Sequence, residues 1–385
     1  MVSAAGLMPM QVLHVIKATG IAGAEKHLLQ MLPGLRTRGI DARLLLLQEA
    51  ARPQDEFARL LREQNVPVEQ HTMQRHVDAA LLPWLTGYLR SHKPDIVHTH
   101  LLHAVLYGTL AARAIGARTM SSHHNDDPFL RRLPLRISYR QLWRMMDAGI
   151  AISEHVAAFC REMEGAPADK LHVIHYGLPA PPPGHDSSAR MALRRELGLS
   201  KDALLVGMIA RLIKQKGVSY GLQAFARVSE RYPDAHLIIV GDGDLRAALE
   251  AEARALRLSP WTHFLGWRAD AAALMRGLDV LLMPSLWEGF GLVLLEAMAA
   301  SLPVVASDIS AIPEIVVHGE TGLLVAPADI DGLAAALDRL LRDTPLRQHM
   351  GLLGLDRLEA HFSVEQMIDK TVAVYASVNE RHLRS

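Results

Sequence analysis

Val280-Leu-Leu-Met-Pro-Ser-Leu-Trp-Glu288-Gly-Phe-Gly-Leu-Val-Leu-Leu-Glu296-Ala-Met-Ala299 reads as a strand, a loop and a helix in direct succession. The apolar run Val280 to Met283 is the strand candidate, and Leu292 to Ala300 has helical character. Glu288 sits in the connecting loop with Gly289 and Gly291. Glycines let a backbone approach a ligand closely. A helix opening near Phe290 aims free N–H groups and a positive dipole end at an anion such as a diphosphate. Glu296 lies about one and a half turns into that helix, among Leu294, Leu295 and Met298. A carboxylate so placed needs partners, and sugar or ribose hydroxyls are good ones. A solvated or ion-paired helix residue is the plainer alternative.

The same alternation extends in both directions. Ala203 to Ile209, Ala235 to Val240, Pro303 to Ser307 and Gly322 to Val325 are further strand candidates, and Ile330 to Arg342 is a further helix. Upstream, Met10 to Ile16, Ala42 to Leu47, Asp95 to His100 and Ala148 to Ile152 read as strands, and Glu25 to Arg38 as a helix that stops at Gly39. Strands alternating with helices predict a parallel sheet covered on both faces. The pattern breaks at Pro179-Ala-Pro-Pro-Pro-Gly-His185, which can continue neither a helix nor a central strand. Length agrees, since 385 residues predict two or three domains. The expected fold is α/β, with two Rossmann-like domains facing a cleft. Residues 1–180 form the first domain, 181–362 the second, and 363–385 a helix that crosses back to the first. Open parallel sheets bind ligands at the carboxyl ends of their strands.

A second segment carries charge to that end of the sheet. Val206-Gly-Met-Ile-Ala-Arg211-Leu-Ile-Lys-Gln-Lys216-Gly217 runs from a strand into a loop with three bases. Arg211 and Lys216 are suited to neutralise charge on a departing phosphate. A solvated basic loop is the competing reading.

Together these segments resemble a family-4 retaining glycosyltransferase of GT-B architecture. Glu288-x7-Glu296, with its Gly-Phe-Gly, is similar to the family's paired-glutamate motif, and Arg211 and Lys216 to its arginine–lysine pair. Val240-Gly-Asp-Gly243, Phe264-Leu-Gly-Trp267, Ser307-Asp, Pro313-Glu and Gly319-Glu-Thr-Gly322 resemble further landmarks of the donor domain. Gly23-Ala-Glu25 resembles the Gly-Gly-x-Glu loop, with Ala22 in place of the first glycine. Ser122-His-His124-Asn resembles the segment with the active-site histidine, and Tyr176-Gly-Leu-Pro179 departs from the usual Asn-Gly-Ile/Val-Asp.

The resemblance implies roles. Arg211 and Lys216 hold the donor diphosphate as it leaves. Glu288 contacts sugar hydroxyls with the Phe290, Gly291 and Leu292 amides, and Glu296 the ribose. Gly23 lies against the phosphates, Trp267 near the base, and His124 near the reacting sugar. His123 stands beside it as the alternative; Asn125 favours His124, by completing a His-Asn pair. The implied donor substrate is a nucleotide-diphosphate sugar, with no cofactor and no metal, and the acceptor is a carbohydrate or lipid-linked hydroxyl. A cell-envelope polysaccharide or glycolipid is the expected product.

Metal chemistry is the rival. His98, His100 and His103, then His123 and His124, form a dense set of metal-ligand types, and His98 and His100 share one face of a strand. That reading gives a metal-dependent hydrolase. A dinucleotide-dependent oxidoreductase fits less well, because Gly241-Asp-Gly243 has Arg246 where a third glycine belongs.

Composition excludes other classes. Forty-one basic residues balance 41 acidic ones, so no net field draws the chain to nucleic acid. One cysteine, Cys160, excludes an internal disulfide framework and suits a reducing compartment. Met1 to Met10 has no basic residue, so no secretory signal is expected there. No apolar run reaches the roughly 18 residues of a membrane span. The expected location is cytoplasmic, at the inner face of the membrane. That last expectation rests on the 131–144 stretch, where Arg132, Arg136, Arg140 and Arg144 recur every four residues among apolar ones. Such a helix suits an anionic membrane surface.

Overall fold

The computed structural model describes residues 9–75, 78–126, 133–179 and 187–383. Most of the proline-rich linker, together with Asp127, Arg131 and Arg132, lies outside them. The chain divides into two compact units, residues 1–177 with 364–385, and residues 178–363.

The first unit is a seven-stranded sheet. Its strands are β1 (Gln11–Lys17), β2 (Asp41–Glu49), β3 (Val68–Met73), β4 (Ile96–His100), β5 (Arg118–His123), β6 (Ala148–Ala151) and β7 (Leu171–Val173). All neighbours are parallel, in the order β3-β2-β1-β4-β5-β6-β7. Strand periodicity sorts the side chains onto two faces. Leu13, Val15, Leu45 and Leu47 pack against the helices Leu81–His92 and Leu101–Ala114. Val12, Ile16, Leu44 and Leu46 face the helix Gly23–Thr37 and the C-terminal helix Val364–Leu383. The C-terminal helix is tied down by Ile368, whose Cδ1 would lie 2.0 Å from a Cβ at Gly34, and by Arg38 Nε to Asp369 Oδ1 at 3.0 Å.

The second unit has six parallel strands: β8 (Leu204–Ile209), β9 (Ala235–Val240), β10 (Thr262–Gly266), β11 (Val280–Met283), β12 (Val304–Ser307) and β13 (Gly322–Val325). Their order is β10-β9-β8-β11-β12-β13. In both sheets the order reverses beside the first strand, between β1 and β4 and between β8 and β11. A crevice opens at such a point, outside the carboxyl ends of the strands.

Four strands carry no clear apolar signal in the sequence. β3, β7 and β10 lie at sheet edges and are half-exposed, so their composition is mixed. β5 is interior but polar: Thr119, Ser121 and Ser122 are buried. The reason emerges at the site.

Candidate active site

Two loops meet at the switch point of the second unit. The first follows β8 and passes through a short turn, Lys214–Lys216, into the helix Val218–Ser229. The second follows β11 and enters the helix Leu292–Ala299. They are zipped together. Leu286 N donates to Gln215 O at 2.8 Å, and Gln215 Nε2 to Trp287 O at 3.1 Å. Lys216 Nζ then lies 2.5 Å from Glu288 Oε2, with both side chains largely buried. Gly217 makes this approach feasible: its φ is +59°, and a Cβ there would lie 1.9 Å from Pro284 O. Gly291, at φ +99°, is the N-cap of the second helix. Phe290 is buried behind it, edge-on to Phe362.

Of the expected donor-side residues, all but Trp267 and Gly23 therefore follow two neighbouring strands; Gly23 begins the helix Gly23–Thr37 of the first unit. Arg211 opens the first loop and is exposed. Glu296 is half-buried on the helix that Leu292 begins. Trp267 follows β10 and is 71% exposed, an unusual position for a tryptophan in the absence of a partner. Asp242 bonds its own loop and Arg246, so the Asp242-Gly-Asp244 segment is a strand-to-helix turn.

In the first unit, the switch point is occupied by histidines. His14 on β1 and His98 and His100 on β4 share one face, with His14 directly opposite His98. They form part of one hydrogen-bonded chain. Ser122 Oγ is 2.8 Å from His98 Nε2, and His98 Nδ1 is 2.7 Å from Tyr375 Oη. Tyr375 Oη is 3.3 Å from His14 Nε2, and His14 Nδ1 is 3.0 Å from His100 Nε2. His100 Nδ1 is 3.1 Å from His124 Nε2, and His124 Nδ1 is 2.6 Å from Tyr176 Oη. His27 stacks on Tyr176, with ring centroids 4.5 Å apart.

These rings are neutral. Burial holds His14 and His27 down to about 3, with the neighbouring His27 adding to the effect on His14. Burial also drives His98, His100 and His124 well below the usual imidazole range, and adjacent imidazoles push the same way. His123 is the opposite case. Burial pulls it down, but Cys160 and Glu164 outweigh that and raise it well above the usual range. Burial pushes the Cys160 thiol up, against the pull of His123. His123 Nδ1 lies 3.2 Å from Glu164 Oε2, which also accepts from Trp143 Nε1 at 2.9 Å. A recess lined by Ser122, His123, His124, Asn125, Tyr139 and Glu164 opens beside this pair.

Residues 190–352 match the family model "Glycosyl transferases group 1", and residues 21–180 match "Glycosyltransferase Family 4". Glycogen synthase of Mycobacterium tuberculosis is 30% identical over 299 residues, 75% of this chain and 70% of that one. UDP-Gal:alpha-D-GlcNAc-diphosphoundecaprenol alpha-1,3-galactosyltransferase of Escherichia coli is 28% identical, over 74% of this chain and 76% of that one. The crystal structure of Anabaena HepE in complex with UDP and glucose superposes with a TM-score of 0.83 at 25% identity, covering 96% of this chain and all of that one. The chain is a family-4 glycosyltransferase of GT-B architecture.

The histidines of this glycosyltransferase do not form the single metal cluster that their spacing suggests. They divide. His98 and His100 join His14 and His124 in the chain above, whereas His123 turns to Glu164. His103 belongs to the helix Leu101–Ala114 and to neither group. Ligand atoms of His14, His98 and His100 do lie within 4.8 Å of one another, as do those of His123, Cys160 and Glu164. In the first group all six ring nitrogens already have hydrogen-bond partners within the unit. His124 lines the recess with both of its ring nitrogens already hydrogen-bonded. Sequence reading missed His14, Glu164 and Tyr375. A histidine inside the apolar run Met10 to Ile16 was the available signal, because buried polar groups need partners.

Proposed function

We propose that this glycosyltransferase transfers a sugar from a nucleotide-diphosphate sugar to an acceptor hydroxyl with retention of anomeric configuration. The observation that carries the reading is the Lys216–Glu288 pair at the β8/β11 switch point. Lys216 and Arg211 take the diphosphate, helped by the N-terminus of the helix Leu292–Ala299. Glu288 and the Phe290, Gly291 and Leu292 amides take the sugar, Glu296 the ribose and Trp267 the base. These cationic groups replace a divalent ion, so no metal is needed at the phosphates. Attack comes from the face the phosphate leaves. The pairing of Glu288 with an ammonium supports this, since a neutralised carboxylate is a poor nucleophile for a double displacement. The names of the relatives make uridine diphosphate sugars the first donors to screen.

A thermal-shift screen with nucleotide-sugars, with and without EDTA, tests this. A ligand that binds only the native state raises the midpoint by about 2.7 kcal/mol of stabilisation at a hundred times its Kd. The expected result is a shift with one nucleotide-sugar that EDTA does not change. A shift that requires a divalent metal, or none with any nucleotide, overturns the reading.

The acceptor side carries a second part of the proposal, contact with an anionic membrane in cell-envelope polysaccharide or glycolipid synthesis. No helix of the described residues is long and apolar enough to cross a membrane. On the helix Leu133–Met145, Tyr139, Leu142 and Trp143 are buried, while Leu133 and Ile137 are 66% and 51% exposed. At about 100° per residue, those two share a face with Arg136, Arg140 and Arg144. Apolar side chains among arginines suit an anionic lipid surface. The wild-type protein should sediment with anionic vesicles, and Arg136→Glu/Arg140→Glu should stay in the supernatant. Equal recovery of both in the supernatant removes the membrane from the reading.

A further inference from the structure

The chain from Ser122 to Tyr176 follows a single bonding rule. Each of its two ring-to-ring contacts joins Nδ1 of one histidine to Nε2 of the next. A neutral imidazole has one N–H and one lone pair. A contact between two neutral rings therefore needs a proton on one side only. If His124 carries its proton on Nδ1, its Nε2 accepts from His100 Nδ1–H. His100 Nε2 then accepts from His14 Nδ1–H, and His14 Nε2 accepts from the Tyr375 hydroxyl. Tyr375 Oη in turn accepts from His98 Nδ1–H, and His98 Nε2 accepts from Ser122. In the run His14–His100–His124, reversing one ring alone sets two donors, or two lone pairs, against each other in a fully buried site. Either error costs about 1–3 kcal/mol. Those three rings thus share one tautomer, all Nδ1–H or all Nε2–H, whereas the Tyr375 hydroxyl can accept from His98 and His14 together and leaves His98 a choice in the second state.

We propose that His14, His98, His100 and Tyr375 are positioning residues for His124, acting as one hydrogen-bonded chain in which His14, His100 and His124 share a single tautomer. The C-terminal helix, through Tyr375, thereby holds the active-site wall on β5. This accounts for one buried polar position of the interior strand β5, since Ser122 is the end of the chain there and His124 follows directly after the strand. The inference rests on the proposed transferase reading only for the place of His124 beside the reacting sugar.

Long-range proton–nitrogen NMR of imidazole-labelled full-length protein at neutral pH tests it directly. His14, His100 and His124 should show the same tautomer, each with one protonated and one unprotonated ring nitrogen. Different tautomers among these three rings, or an imidazolium among them, overturns the chain. Tyr375→Phe cuts it between His98 and His14. It should lower kcat about tenfold at unchanged donor affinity. Wild-type kcat in folded Tyr375→Phe overturns the positioning role. The tautomer readout needs no substrate, so failure of the transferase reading is seen separately, as absence of donor binding.

Discussion

Replacing Lys216 with alanine lowers kcat at least about a hundredfold while the protein stays folded, the loss typical of removing one charge-stabilising donor from a transition state. The side chain of Lys216 is 16% exposed and its main bond is to Glu288. Its loss acts twice on the reaction. The ammonium no longer meets the charge that develops on the leaving phosphate. Glu288 is also left without its counter-ion in a loop that must receive a diphosphate. Nucleotide binding should therefore weaken together with kcat. Lys216→Ala/Glu288→Gln should recover part of the nucleotide affinity and none of the rate, because it removes the repulsion and not the need for a cation. Glu288→Ala alone should also abolish transfer. Steady-state kinetics with circular dichroism decides it; a near-normal rate in folded Lys216→Ala removes the lysine from the phosphate site.

That prediction was legible in the sequence because the relevant elements are local and regular. Val280–Met283 and Leu204–Ile209 are buried on both faces and read as unbroken apolar runs, and the loops after them carry glycines where the backbone crowds. The contact between the loops, Gln215 to Leu286 and Trp287, was not legible. It depends on β8 and β11 being neighbours across a sequence separation of some seventy residues. The first unit was harder to read for the same reason in stronger form. His98 and His100 were visible as a pair sharing a face. Their partners come from β1, β5 and the C-terminal helix, and no spacing rule joins position 98 to position 375. β5 escaped because Ser121 and Ser122 on it serve hydrogen bonds to histidines, whereas the apolar-run criterion registers only oily side chains.

The same burial makes the first unit acid-labile, and this is the larger stability effect expected of the protein. In the unfolded chain a histidine takes up its proton near pH 6.5. His14 and His27 resist until about 3 in the folded state because burial opposes the charge, and His98, His100 and His124 are lowered in the same direction. A depressed histidine contributes stability that is complete above pH 6.5 and is lost as pH falls. Five such rings give a slope of up to about 7 kcal/mol per pH unit below that value, against total domain stabilities of about 5–15 kcal/mol. His123 runs the other way. Its raised affinity is satisfied throughout the acid range, and its contribution disappears only as pH rises above the usual imidazole value. Among its described residues the second unit has no equivalent: His236 and His263 are lowered, but they lie half-buried near its edge strand. Differential scanning calorimetry from pH 7.5 down to 5 should therefore resolve two transitions. The one belonging to residues 1–177 and 364–385 should fall steeply and be lost near pH 5, while the other moves little. A first-unit transition that holds its position to pH 5 would mean that the buried rings take up protons as readily in the folded state as in the unfolded one. A charged ring in the Ser122–Tyr176 chain has two donors and no acceptor, so the same scan bears on the tautomer chain from the side of stability.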